Sequence, residues 1–318
     1  MTMSIEGFSC LGAFGSGGDC LTEAIRARHT DRFTERTDTS ALANFFPPRA
    51  LRQCDRFSRL AILGACLAAQ NAGLNPTEPG NCGIVLATGY GSATPTFDFL
   101  DSLLDHGEQM ASPLAFSLSV HNIPAAIVAK TMQIQGPCAT VCQYESSVAS
   151  GLLLASQWLA DKRIDRVLFG AVDEYTDLLN AVTLRVVKER EIQGARKSRR
   201  ALSLAEGAAF FILSRPKDSS LGDITSVSLD KSPDHPDYNA LAGDCLYFFS
   251  GAVPPEAHGL PGVLDGSPAY GNIPVAAALD LAAAVSMLNT GGAPFSHYCC
   301  RNYTAGVQSE IILKRVKP

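Results

Sequence analysis

Charged side chains are sparse in this 318-residue chain, at 18%, and there is a single tryptophan. The formal net charge of -5 supplies no basic surface for nucleic acid. No apolar run reaches the length of a membrane helix, and the alanine-rich stretch from Val275 is interrupted by Asp280. The N-terminal residues lack the charged-then-apolar pattern of a secretory signal, so the chain reads as cytoplasmic. Cysteine is present, ten residues in all, but no CxxC pair with partner histidines occurs, and neither zinc nor any other metal or cofactor is expected. The cysteines are scattered, and several fall inside apolar patterns, where free cysteine behaves as a small hydrophobe. Cys299-Cys300 reads as strand or loop filler in the same way.

Hydrophobic residues make up 46% of the chain, enough to bury a large core as one double domain. Apolar strand candidates alternate with helices rich in small residues, which predicts an α/β architecture. Ile84 to Thr88 and Arg166 to Gly170 are continuous apolar runs of the kind buried on both faces. Helices are expected near Phe57 to Ala72, Ser146 to Asp161 and Val275 to Leu288, with Ala and Ser where a sheet must approach closely. The stretch Arg185 to Arg200 holds seven Lys/Arg and reads as a solvated face, or as a contact for an acidic protein. From Ser214 to Gly266 glycine, proline and aspartate are frequent and periodicity is weak.

The stretch from Gly136-Pro137 to Gly151 carries the most information. A Gly-Pro turn leads into a short strand, Ala139 to Cys142, which the pattern predicts to be buried. A sharp turn and a helix of small residues follow. This layout resembles the nucleophile elbow of β-ketoacyl synthases. Further text is similar to that family: Ser4 to Phe8 with Leu11-Gly12 and the helix Asp19 to Arg28, Asp55 to Leu74, Gly83 to Gly89, Gly170 to Glu174, and Ala205 to Ala209 with Phe210 to Ser214. Beyond about residue 215 the likeness thins.

The resemblance implies a thiolase-like (ketosynthase) fold of the α/β class, two similar αβα halves in five layers. The halves would be 1–214, with the elbow, and 215–318, a shortened second half. In the family the ninth residue after the elbow glycine is the acyl-accepting cysteine; here it is Glu145. The two family histidines fall on Ser250 and Asn272, and the lysine on Ser267. The closing glycine-rich loop is worn to Arg301 to Gln308. A carboxylate cannot replace a thiolate as the acyl carrier of a Claisen condensation. Asn272 can donate one hydrogen bond but cannot shuttle a proton.

These losses resemble the chain length factor (ketosynthase β subunit) of type II polyketide synthases, in a Gram-negative aryl-polyene or anthraquinone-like branch. The usual substitute for the cysteine there is glutamine, and Glu145 departs from that pattern. The resemblance implies a heterodimer with an active ketosynthase, and contact with an acyl carrier protein mainly through that partner. It places chain-length tunnel positions on Ala93, Thr96 and Leu100, which share one helical face, and interface positions on Phe97, Phe116 and His121. A partner covering the second half would make its shortening tolerable. Glu145 itself reads as a helix cap, as an anion that positions or decarboxylates malonyl groups, or as an interface contact. Two other classes stay open: an enzyme in its own right, a decarboxylase or acyltransferase using Glu145, Cys142 or Ser146, and a homodimeric scaffold. Cys138 and Cys142 are expected to be too enclosed to serve as nucleophiles.

Overall fold

The computed structural model describes residues 2–27, 36–192, 204–231, 245–250, 262–290, 295, 297–304 and 307–315, with side chains undescribed at 187–192, 250 and 302–304. In chain order the first part contains β1 (Met3–Gly12), β2 (Gly15–Ser16), α1 (Gly18–Ala27), α2 (Arg56–Asn71), β3 (Cys82–Thr88) and α3 (Ala93–His106). Then come α4 (Pro113–Leu118), α5 (Ile123–Thr131), β4 (Cys138–Cys142), α6 (Ser147–Ala160), β5 (Arg166–Asp173), α7 (Asp177–Ile192) and β6 (Gly207–Ser214). The rest comprises β7 (Asp223–Lys231), β8 (Cys245–Ser250), β9 (Val263–Leu264), α8 (Ser267–Tyr270), α9 (Ala276–Asn289), β10 (His297–Thr304) and β11 (Val307–Lys314).

Ten strands follow the order β4-β3-β5-β6-β1-β7-β11-β10-β8-β9, with β2 folded onto β1. Counted outward from the β1–β7 joint, both sides repeat one rule. Each runs through its first, fifth, fourth, second and third strand in chain order, so the chain builds the same motif twice. The joint itself is narrow, with Met3 facing Ile224 and Ser4 facing Asp223. On each side the fifth strand runs antiparallel to the fourth, and the inner crossover strands pair in parallel.

Side-chain alternation with a period of two sorts the strands between two cores. Val85, Ala87, Val167 and Phe169 point into one core, shared with α6, α9 and the strands β8, β10 and β11. Ile84, Leu86, Leu168 and Val172 point into the other, under α2 and α5. Two-sided cover explains why β3 and β6 are buried at every position and read as unbroken apolar runs. Helix α2 starts where the Asp55 carboxylate accepts the Ser58 N–H at 2.9 Å, and stops at Gly73 in the left-handed region (φ 69°). Among the described residues the helices packed on the second set of strands are α6 and α9, both in the middle layer, so four of the five expected layers are accounted for.

One expectation changes. β4 is not buried: among the described residues it pairs with β3 alone and its other edge carries no strand, and both Cys138 and Cys142 are exposed. A terminal strand has one unpaired row of backbone groups and loses part of its cover, which an apolar run in sequence does not reveal. The stretch 214–266, weakly periodic in sequence, contains among the described residues the strands β7 and β8 and the two-residue β9. The Lys/Arg-rich stretch divides. Arg185 to Ile192 continues α7, while residues 196–200 lie outside the described ones, as do Arg28 and Gly306. Among the described residues no helix is long and apolar enough to cross a membrane.

Candidate functional site

The strand ends gather the elbow residues at one corner. Gly136 has no room for a Cβ because the Cys82 carbonyl lies directly over it, so the Gly-Pro turn seats against the start of β3. β4 then runs beside β3 until Cys142 lies opposite Thr88. Tyr144 takes the left-handed region (φ 52°), a strained choice for an aromatic residue, and a 3-10 turn over Tyr144–Ser146 delivers the chain into α6. The Ser147 hydroxyl fastens this turn: it accepts the Gln143 N–H at 2.7 Å and reaches the carbonyls of Thr88 and Tyr144 at 2.7 and 2.6 Å. Glu145, a residue only 6% exposed, sits one residue ahead of the helix N-cap Ser146. The sharp elbow geometry is thus present with a buried carboxylate at the position the sequence singled out.

Asp173, at the end of β5, ties this corner together. Its buried carboxylate accepts the Thr88 hydroxyl at 2.7 Å, the N–H groups of Gly89 and Tyr90 at 3.0 Å each, and the Val275 N–H. Burial outweighs these donors and pushes its pKa up to about 6. Pro274 fills the space a side chain at Gly89 would need, so the segment leading into α9 rests on the end of β3. That brings Asn272 to the elbow corner, where its carbonyl accepts the Ala205 N–H at 2.9 Å. Ser267 is held back: its hydroxyl donates to Asp265 at 2.5 Å, closing a turn at the start of α8. Ser250 ends β8 beside Asn302, and its side chain lies outside the described ones.

Two more buried acids flank Asp173. Glu174 accepts the Thr94 N–H in the first turn of α3 at 2.9 Å, and burial pushes its pKa up to about 7. Glu206 pairs with Arg56 through both Nε, at 2.9 Å, and Nη2, and it also accepts the N–H groups of Thr37 and Tyr175 at 2.5 and 3.3 Å. No role was assigned to these acids, or to Ser147, from sequence. A signal existed: carboxylates at the end of one apolar strand text, Gly170 to Glu174, and at the head of another, Ala205 to Ala209.

The tunnel positions all lie on α3 but do not share one environment. Ala93 is 6% exposed, Thr96 is half-buried with its hydroxyl on the Ser92 carbonyl at 2.6 Å, and Leu100 is 46% exposed. The face they define therefore runs from the core to the surface. Phe97 is half-buried, Phe116 is exposed and packs on Phe99 at 5.2 Å, and exposed His121 lies over Gly91 in the β3–α3 turn. Tyr90 meets Tyr144 edge-on at 5.5 Å and bonds Thr183 of α7, joining that helix to the elbow. An open cavity of about 460 Å³ separates Gln143 and Ser146 from Leu229, Asp230, Lys231 and Val307 of the second strand set.

The exposure of Cys138 and Cys142 removes enclosure as the reason to discount them. Chemistry supplies another. Partial burial raises the pKa of both thiols, and the Asp173 carboxylate adds to the rise at Cys142, whose thiol donates to the Gly89 carbonyl at 3.6 Å. A reactive cysteine needs the opposite shift. Among the described residues no cluster of three or more His, Cys, Asp or Glu could hold a metal ion.

This double motif with an elbow at the head of α6 is the thiolase-like fold of ketosynthases. The family model "Beta-ketoacyl synthase, N-terminal domain" matches residues 21–219, and the chain belongs to that family. It is 28% identical over 170 residues to a polyketide beta-ketoacyl synthase 1 of Streptomyces halstedii, covering 50% of this chain and 40% of that protein. It is 27% identical over 202 residues to a granaticin polyketide beta-ketoacyl synthase 1 of Streptomyces violaceoruber, covering 57% of this chain and 47% of the relative. Each match thus spans less than half of the curated relative. Among solved structures, the ishigamide ketosynthase/chain length factor superposes with a TM-score of 0.76 at 17% identity, over 100% of both chains. A ketosynthase in complex with its chain length factor from Xenorhabdus doucetiae superposes with a TM-score of 0.62 at 12% identity, over 99% of this chain and 100% of that one.

Proposed function

We propose that this chain is a catalytically inactive, chain length factor-like subunit that pairs with an active ketosynthase in a type II polyketide synthase. It would set product length by shaping the tunnel along Ala93, Thr96 and Leu100. The observation that carries this reading is the elbow: its turn, strained tyrosine and serine clasp are built, and a buried Glu145 stands where the family resemblance puts the nucleophile. Ser267 is engaged by Asp265, and Asn272 is held through its backbone. In this reading residues 1–214 and 215–318 are two copies of one half-fold, and the carrier protein visits the pair mainly through the partner. The setting is cytoplasmic, and no cofactor is required. The Gram-negative aryl-polyene or anthraquinone-like branch belongs to the same proposal.

The open edge of β4 supports the partner. So do the large apolar side chains left exposed on α3, α4 and α7. A surface of this kind marks a protein contact. The test is co-expression with the ketosynthase encoded beside it, followed by mass determination and malonyl-carrier extension. A one-to-one complex is expected. It should keep its activity to within about twofold with Glu145→Ala and lose it when the partner's nucleophilic cysteine is replaced. Turnover of acyl thioester by the chain alone, lost with Glu145→Ala or Cys142→Ser, would establish instead a stand-alone decarboxylase or acyltransferase. Leu100→Phe should shorten the products, and an unchanged product distribution would remove the tunnel assignment.

A further inference from the structure

The helical hairpin α3–α4 combines two properties that rarely share a free surface. Leu100, Leu104, Met110, Leu114, Phe116 and Val120 are exposed by 46, 82, 70, 60, 57 and 47%. Beside them stand the exposed carboxylates Asp98, Asp101, Asp105 and Glu108. The three aspartates are spaced three and four residues apart and line one face of α3, next to the Leu100–Leu104 face. No lysine or arginine occurs between Arg59 and Lys130, so nothing basic in this stretch of sequence offsets them. The hairpin is a built unit: Phe99 packs on Phe116 at 5.2 Å, and the Ser112 N–H donates to the Ser102 hydroxyl at 3.0 Å. It springs from the end of β3, the strand on which β4 pairs.

We propose that this hairpin selects the partner by charge: it docks on an apolar seat of the ketosynthase subunit that is edged with lysine and arginine. This deepens the pairing proposed above and rests on it. An apolar centre of this size supplies holding power, because its removal from water is what makes the contact last. An acidic rim contributes mainly to the rate of encounter and to discrimination among partners, since like charge facing like charge is costly and opposite charges steer approach. The seat must therefore be basic at its edge, and a ketosynthase whose seat is acidic is rejected although the apolar areas match.

The test measures association and dissociation of the purified full-length chain with the co-encoded ketosynthase between low and high salt. The wild-type association rate is expected to fall about tenfold or more as salt rises, because exposed charges are screened beyond a Debye length of about 10 Å at 0.1 M. In Asp98→Lys/Asp101→Lys/Asp105→Lys/Glu108→Lys the low-salt association rate should drop by about tenfold and its salt dependence reverse. In Leu104→Ser/Leu114→Ser the dissociation rate should rise about tenfold with the association rate little changed. All six positions are exposed, so the thermal midpoint of each isolated variant should stay at the wild-type value. A charge-reversed chain that associates at the wild-type rate with the wild-type salt slope overturns the inference and leaves the pairing intact. A wild-type chain that ignores the ketosynthase overturns the pairing and the inference with it. Self-association abolished by the same reversal assigns the hairpin to a second copy, which also overturns it.

Discussion

The ends of β5 and β4 meet at the same corner and are built on opposite terms. At β5 the chain closes its polar accounts. Asp173 is enclosed by four donors, Glu174 receives the first turn of α3, and the adjoining Glu206 is held by Arg56 and two backbone N–H groups. At β4, beyond β3, no described strand pairs with the outer edge and two cysteines are exposed. Buried carboxylates are costly unless surrounded by donors, so the β5 end is scaffold, fixed by its own chain. On the proposed reading the β4 end is what the partner completes. A site that had lost all purpose would not need its strained turn and clasp kept beside such a hub. In the function proposed above, the elbow serves shape and contact rather than covalent chemistry.

The contrast breaks most easily at the hub. Arg56→Ala leaves the buried Glu206 without its guanidinium partner, and about 3 kcal/mol of stability should be lost in urea denaturation. A loss under about 0.5 kcal/mol would show that the hub is not what holds the corner. A smaller effect is expected from pH. Burial raises Asp173 to about 6 and Glu174 to about 7, above ordinary carboxylate values, so the native state binds more protons than the unfolded chain. Their contribution is complete below the unfolded values near 4 and is lost as pH climbs through about 6 and 7. The urea midpoint should therefore fall between pH 5 and pH 8. Glu174→Gln, which keeps an acceptor for the Thr94 N–H, should flatten that slope by on the order of 1 kcal/mol. An identical slope in the variant would place the titrating group elsewhere.

Much of the fold was legible in sequence because it is carried by local rules. Helices near Phe57, Ser146 and Val275 appear within a residue or so of their expected starts, and the elbow sits where its Gly-Pro turn placed it. What stayed hidden depends on neighbours far along the chain. Whether the apolar run 138–142 is a central or an edge strand depends on a second pairing strand, of which there is none among the described residues, and the run itself is the same in either case. The acids were hidden for a related reason. Glu206 finds Arg56 across 150 residues, and only the folded sheet brings Val275 to Asp173. The internal repeat was implied only by the family resemblance, because the two halves share a strand order and no evident run of residues.

The smallest expected change in stability is the sharpest probe of the open edge. Cys142→Ser and Cys138→Ser should each shift unfolding by less than about 0.5 kcal/mol, since both thiols lie on an exposed strand. Their accessibility should respond far more. With an uncharged maleimide the isolated chain should modify Cys20, Cys138 and Cys142, all exposed, ahead of Cys10, Cys66, Cys82 and Cys300, which are buried. The raised pKa of Cys138 and Cys142 makes their reaction slower than that of an ordinary free thiol but leaves it measurable. Addition of the ketosynthase should then slow Cys138 and Cys142 by about tenfold or more while Cys20, on α1, continues to react; the protection expected is that of burial in a stable interface. Because the three thiols are compared within one sample, a general loss of reagent or of folded protein cannot imitate the result. Equal rates at all three with and without the partner would mean that the edge of β4 stays open in the complex, and the distinction between a self-sufficient hub and a partner-completed elbow would fail.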